Sequence, residues 1–253
     1  MLSDKTKPET PIFRKKIAQR LAQEFAGYWK QKPSQERFIF VHGVGSFGHP
    51  LAKRYQLTKC KARKDSTGVA LTRVQVRQLN LSVAKEFLAQ GCGVLPLSPS
   101  FFVRQTNGRI SQCDITYVEH ALREGLTPLL HGDVVEDERC GFSICSGDQL
   151  LSYLSISLPV RRAIFLTDVD GVFNDNPKHN KNARLLAQMT KKEAKAFAQK
   201  RVERTSFDVT NAMAGKLGEI AQMPCPVLVC NGFTRGNLLR ALRGENVGTT
   251  IYR

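Results

Sequence analysis

Apolar residues recur at helical spacing in two long stretches of the chain. Phe13, Ile17, Leu21, Phe25 and Tyr28 share one face of a predicted helix. Thr10 and Pro11 would open it as N-cap and first helical residue, and Lys32-Pro33-Ser34 stops it after about Trp29. Leu71, Val74, Leu79, Val83 and Phe87 repeat the pattern over residues 69–89, with Gly91 as the closing residue. Short β-rich runs follow at 37–41, 93–97, 127–132, 142–145, 162–167, 226–230 and 249–252, the last expected as an edge strand. Between them lie helical segments at 115–123, 149–157, 190–200, 211–222 and 238–243, the third capped by Thr190 with Glu193 three residues on. Residues 101–113 differ. Two short runs flank Asn107-Gly108, the signal of a two-residue hairpin, which we expect to project from the main sheet.

Strands alternating with helices imply an α/β fold, a three-layer α/β/α sandwich whose central sheet is mainly parallel. In such sheets ligands bind beyond the carboxyl ends of the strands. Four polar clusters each follow a predicted strand, at 43–49, 132–133, 147–148 and 167–171, so we expect them to converge on one rim.

Composition narrows the class. At 253 residues the chain suits one large domain. No apolar run approaches the ~18 residues of a membrane span, and residues 3–10 are polar, unlike a secretory signal. The seven cysteines include no Cys-x-x-Cys pair and are odd in number, which predicts the reduced thiols of a cytoplasmic protein. The net charge of +16 has two readings, a solvated basic surface or a field that draws in phosphorylated substrates. The basic residues are spread out rather than clustered with aromatics, so no specific nucleic-acid partner is expected, and no membrane.

The chemistry starts at Gly43-Val44-Gly45-Ser46-Phe47-Gly48, which satisfies G-x-G-x-x-G. A dinucleotide site also needs a second strand ending in an acid about twenty residues on. Here that region, 59–65, is basic and is no strand. A loop turning backbone N–H groups onto a phosphate needs less. His49 then stands where it can donate to a terminal phosphate, the alternative being a surface or capping histidine. Asp148 follows Ser146-Gly147 at a strand-to-helix turn, as a positioning carboxylate or a plain N-cap. Lys216 is expected in the first turns of a helix, where a cation is unfavourable unless an anion binds; otherwise it is a solvated lysine.

The run His42-Gly43-Val44-Gly45-Ser46-Phe47-Gly48-His49-Pro50 resembles the His-Gly-Gly-Gly-Ser-Phe-Gly-His-Pro signature of isopentenyl phosphate kinases, a branch of the amino acid kinase superfamily. The likeness extends, in the family's order, to Ser3-Asp4-Lys5-Thr6-Lys7-Pro8, His131-Gly132-Asp133-Val134, Ser146-Gly147-Asp148, Thr167-Asp168-Val169-Asp170-Gly171-Val172 and the stretch from Asp208 to Lys216. It implies transfer of the ATP γ-phosphate to isopentenyl phosphate, with Mg2+, by a homodimer. About 1–160 would be the acceptor half and about 161–253 the ATP half of one domain. His49, Asp148 and Lys216 would be catalytic. Gly43, Val44, Gly45, Ser46, Gly132 and Gly147 would bind the acceptor. Thr167, Asp168, Asp170, Gly171, Lys178, Gly215 and Lys216 would bind ATP, with magnesium carried by the nucleotide rather than by a protein metal site. A helix from Val69, the hairpin near Phe101-Phe102 and Ile144 are the segments free to line an apolar slot for the acceptor's tail.

Three departures bear on activity. The family opens on a strand carrying Lys-x-Gly-Gly-Ser, whose lysine helps neutralise the transferring phosphate, whereas this sequence starts within the tail of that segment. If nothing precedes Met1, a loss on the order of 10² to 10³ in rate is expected. Val44 replaces a glycine, and a β-branched residue resists positive φ. Asn211-Ala212 replaces Gly-Gly ahead of Lys216, stiffening a loop expected to close on ATP. The alternatives are therefore a catalytically impaired binding or regulatory relative, a kinase of another small phosphate or carboxylate, and a basic nucleic-acid-binding protein.

Overall fold

The computed structural model describes residues 1–3, 10–60, 65–175, 177, 180–202 and 209–252, without the side chains at 200–202 and 209–212. Lys178 and Asp208 lie outside the described residues, as do the side chains of Asn211 and Ala212. The chain divides into two compact units, Met1–Leu151 and Ser152–Arg253.

In the first unit, helix α1 (Lys15–Trp29) and helix α3 (Ser66–Leu88) both pack on strand β1 (Phe40–His42). Phe25 of α1 is fully buried, with ring centroids 4.7 Å from Phe40, 5.1 Å from Phe38 and 5.9 Å from Phe87 of α3. This aromatic knot seats both helices on the sheet. Helix α1 begins four residues later than Thr10 and Pro11 predict, at Lys15 with Arg14 as N-cap. Residues 11–14 pair instead with the first residues of the chain: Ser3 bridges Phe13, and Arg14 N–H donates to the Leu2 carbonyl. Extended pairing won over the local capping signal there. The short helix α2 (His49–Arg54) follows the glycine loop. Asp65 caps α3 by accepting from Gly68 N–H at 2.7 Å.

Strands β2 (Val94–Pro96) and β5 (Thr127–His131) complete an all-parallel sheet ordered β1-β5-β2. A second sheet of the same unit holds the hairpin of β3 (Val103–Thr106) and β4 (Arg109–Cys113), then β6 (Asp133–Asp137) and β7 (Gly141–Cys145), in the order β4-β3-β6-β7. The predicted turn is present, with φ of +53° at Asn107 and +73° at Gly108, the pairing that a two-residue hairpin of this hand requires. Periodicity missed β6, which is buried at four of its five positions and so does not alternate. Its last residue, Asp137, holds the second sheet's turns together. The buried carboxylate accepts from Gly108 N–H at 2.7 Å, from Cys140 and Arg139 N–H at 2.9 Å, and from the Ser143 hydroxyl at 2.7 Å. Burial opposes its charge, but these donors win and hold its pKa down to about 2. Helix α4 (Thr116–Arg123) connects the hairpin to β5, and helix α5 (Gly147–Ser157) follows β7.

The second unit carries strand β8 (Ala163–Thr167), β9 (Gln188–Thr190), β10 (Val227–Asn231) and β11 (Gly248–Tyr252), with helices α6 (Lys191–Val202), α7 (Val209–Ile220) and α8 (Asn237–Leu242). Thr190 and Glu193 form the predicted capping box, Glu193 accepting from Thr190 N–H at 2.6 Å. The strand order is β8-β10-β11-β9, so β11 is not the expected edge. It runs antiparallel to β10 and parallel to β9, whose three residues were too few to read.

The thiols also differ from expectation. Cys60 and Cys140, 80 residues apart, form a disulfide, and five cysteines are free. Short-range spacing is blind to such a pair. The residues between α2 and α3 reach the β6–β7 turn because Ala52, Leu57, Val69 and Val134 form one core cluster, with Tyr55, Phe142 and Ile144 packed on it. A bridge closing a loop this long is worth on the order of 4 kcal/mol in the chain-entropy account. Thiol titration of the denatured, unreduced protein is expected to count the five free cysteines, rising to all seven after reduction. Seven without reductant contradicts the bridge.

Candidate active site

The acceptor-side residues named from the sequence meet in the first unit. Strand β1 pairs with β5 so that His42 lies opposite His131, and each histidine is followed by a glycine at the strand's carboxyl end. Gly132 N–H donates to the His42 carbonyl at 3.1 Å, tying the second turn to the first. The third turn closes on the same point: a Cβ on Gly147 would stand 3.3 Å from the His42 carbonyl oxygen, and one on Gly132 would stand 3.3 Å from Gly147 N. Gly132 and Gly147 are thus brought against the end of β1, where Gly43 to Ser46 begin, by backbone approach that leaves little room for a side chain, whereas a Cβ on Gly43 would meet nothing within 4 Å.

Val44 does not carry the burden expected of it. Its φ is −88°, an ordinary helical value, and Gly45 takes the left-handed position at φ +49°. The valine side chain instead fills space that neighbouring glycines vacate, since a Cβ on Gly48 would lie 2.5 Å from Val44 Cγ2. Ser46 N–H donates to the Ser3 hydroxyl at 3.0 Å, so it serves the loop's own structure. His49 is exposed at the start of α2, and Asp148 is half-buried in the first turn of α5. The next residue, Gln149, donates from Nε2 to the Gly108 carbonyl at 3.0 Å and so fixes the hairpin tip beside this turn.

The residues expected to line an apolar slot are divided between core and surface. Val69 and Ile144 share the cluster described above. Phe101 does not join it, being 79% exposed with the Arg77 guanidinium 4.8 Å above its ring.

Thr167, Asp168, Asp170 and Gly171 gather in the second unit at the end of β8. Val169 N–H donates to the Thr167 hydroxyl at 3.1 Å, and Asn231, at the end of β10, donates from Nδ2 to Asp170 Oδ1 at 2.8 Å. Asn231 was missed from the sequence, because only the register opposite Thr167 reveals it. Gly171 has no space for a side chain, a Cβ there falling 2.5 Å from the Thr249 hydroxyl. Lys216 sits in the latter half of α7, not its first turns, so the helix dipole gives no argument for an anion beside it. Its ammonium stands 4.7 Å from the Phe165 ring centroid, against the same strand that ends in Thr167, while Gly215 is exposed.

The histidine pair is the other feature that single residues did not reveal. The rings of His42 and His131 stack with centroids 5.8 Å apart, and both are buried. Burial, reinforced by the neighbouring His131, pushes the pKa of His42 down to about 3; burial likewise lowers that of His131, against the pull of Asp133.

The family model of the amino acid kinase family matches residues 2–231, and the chain belongs to that family of phosphotransferases. The isopentenyl phosphate kinase of Methanothermobacter thermautotrophicus is 37% identical over 254 residues, spanning 96% of this chain and 92% of that protein. That of Methanocaldococcus jannaschii is 30% identical, spanning 99% and 95%. A crystal structure of an isopentenyl phosphate kinase superposes with a TM-score of 0.82 at 34% identity, covering 99% of this chain and 95% of the other. Within the amino acid kinases, the isopentenyl phosphate kinases are the branch to which this chain belongs.

Because the folded state keeps His42 neutral, its contribution to stability is complete above the unfolded pKa of 6.5 and is lost as pH falls from there through about 3. Urea midpoints measured across that range are expected to fall less steeply in His42→Asn than in the parent. Parallel profiles contradict the assignment.

Proposed function

We propose that the chain transfers the γ-phosphate of ATP to isopentenyl phosphate, giving isopentenyl diphosphate and ADP. The observation that carries this reading is the meeting of the three glycine turns at the His42 carbonyl. Backbone N–H groups in turns at strand ends, two of them on the parallel strands β1 and β5, suit a phosphate. The acceptor is itself an anion, so no strong base is needed, and catalysis rests on alignment and charge neutralisation. An acceptor phosphate oxygen attacks the γ-phosphorus, the bond from phosphorus to the β,γ-bridging oxygen breaks, and ADP leaves.

In this reading His49 donates to the acceptor phosphate and stays with it as charge is redistributed. Asp148 orients cationic side chains rather than taking a proton. Lys216 neutralises the donor phosphates, and Thr167, Asp168, Asp170, Gly171, Gly215 and Lys178 hold the nucleotide. Among the described residues no group of three or more His, Cys, Asp or Glu side chains is placed to hold a metal. Magnesium is proposed to enter on ATP, as the family resemblance implies, and no step is assigned to a protein-bound ion. The charge of +16 favours encounter with both anionic substrates. The family resemblance supports a homodimer. A cytoplasmic location follows from the need for ATP, although the Cys60–Cys140 bridge argues the other way. No described helix is long and apolar enough to cross a membrane.

Coupled measurement of ADP release is expected to show magnesium-dependent stimulation by isopentenyl phosphate. His49→Ala should lower that stimulated kcat by about 100-fold or more. A protein that ignores isopentenyl phosphate but phosphorylates a nucleoside monophosphate or a carboxylate would overturn the acceptor assignment.

A further inference from the structure

His42 and His131 touch no predicted ligand position, yet both spend a ring nitrogen on the loops that do. His42 Nδ1 lies 3.1 Å from the carbonyl oxygen of Gly43, and His131 Nδ1 lies 2.8 Å from that of Gly132. A carbonyl only accepts, so each proton is on Nδ1. The other nitrogens, Nε2 of both rings, are buried and make no hydrogen bond. Evolution of a core for stability alone has little use for two such orphan nitrogens side by side.

The peptide plane supplies the reason. In a trans peptide the N–H points opposite to the C=O of the same unit. Holding the Gly43 carbonyl toward the imidazole therefore turns the Val44 N–H away from it. The Asp133 N–H, by contrast, begins β6, where Asp133 pairs with Cys145 of β7, so the His131 bond fixes the Gly132 turn without freeing a second donor. The β1–β5 register places the two devices side by side, and the bond from Gly132 N–H to the His42 carbonyl locks their relative height. Asn80 of α3 donates from Nδ2 to the Leu129 carbonyl at 3.1 Å, tying that helix to β5 two residues before His131.

We propose that His42 is a positioning residue of the acceptor site, a neutral Nδ1–H tautomer that rotates the first peptide of its glycine turn so that the Val44 N–H faces the acceptor phosphate, with His131 holding the Gly132 turn beside it. This rests on the phosphate-acceptor reading above. Neither ring exchanges a proton in the reaction, and their low pKa values keep both uncharged while a dianion binds nearby.

Asparagine places an amide N–H where imidazole Nδ1–H stands, whereas glutamine reaches the Nε2 position and leaves Gly43 unheld. In steady-state kinetics His42→Asn is expected to stay within about threefold of the parent in KM for isopentenyl phosphate. His42→Gln should raise that KM about tenfold with the KM for ATP unchanged. Equal losses in the two variants, or a matching change for ATP, would show a merely structural role. Imidazole nitrogen spectra of the parent give a reading that does not depend on any variant folding. The His42 ring should stay neutral with the proton on Nδ1 from about pH 5 to 8; a proton on its Nε2 or a charged ring overturns the proposal. Inorganic phosphate titrated against the parent should shift the Val44 amide, and do so more weakly in His42→Gln; no shift in the parent also overturns it. If the parent fails to phosphorylate isopentenyl phosphate, the acceptor assignment falls, and the nitrogen spectra and phosphate titration still decide this one.

Discussion

The bond from Gly132 N–H to the His42 carbonyl is the constraint on which the acceptor side depends. It exists only because β1 and β5 pair in parallel with His42 opposite His131. Parallel pairing in that register brings two strand ends to one height, and the His42 carbonyl then becomes the point on which Gly147 also closes. Four glycines at the junction are small for local reasons. Gly45 takes a left-handed backbone, Gly48 makes way for Val44, and Gly132 and Gly147 approach backbone. A one-residue slip of β1 would exchange its faces and scatter all three turns.

Around that junction polar anchors add to the apolar packing of the first unit. Asp137 gathers the N–H groups of the hairpin tip and of the β6–β7 turn, and Gln149 ties the same tip to the helix that carries Asp148. The Cys60–Cys140 bridge crosses from that turn to the segment behind α2, whose first residue is His49. The walls of the candidate acceptor site are thereby restrained at both ends by bonds that lie outside it. Pre-organisation of this kind suits a reaction in which placement, not proton transfer, lowers the barrier.

Much of this was legible in the chain, and the exceptions have physical causes. The 3.6-residue pattern located α3 within a few residues, but Leu71 and Val74 of the expected face are exposed; the buried face enters through Val69, Thr72 and Val76 and joins the expected one at Leu79, Val83 and Phe87. Asn107-Gly108 announced its turn because few pairs tolerate positive φ at both positions. The glycine turns were readable as candidate phosphate loops because each follows a strand. Local pattern failed where the deciding partner was distant. Thr10-Pro11 looked like a cap, yet pairing with residues 1–3 claimed that segment. Cys60 and Cys140 carry no spacing signal. The histidine pair is invisible as two separate His-Gly dipeptides and becomes informative only once register sets them side by side.

The central claim is that the three turns of the first unit form one phosphate-binding site. A crystal structure of the protein with an isopentenyl phosphate analogue tests it most directly. The account predicts that the phosphate lies within hydrogen-bond reach of N–H groups from the 43–46 loop and from the turns at Gly132 or Gly147, with His49 alongside. A phosphate bound elsewhere, with those turns making no contact to it, would contradict the account.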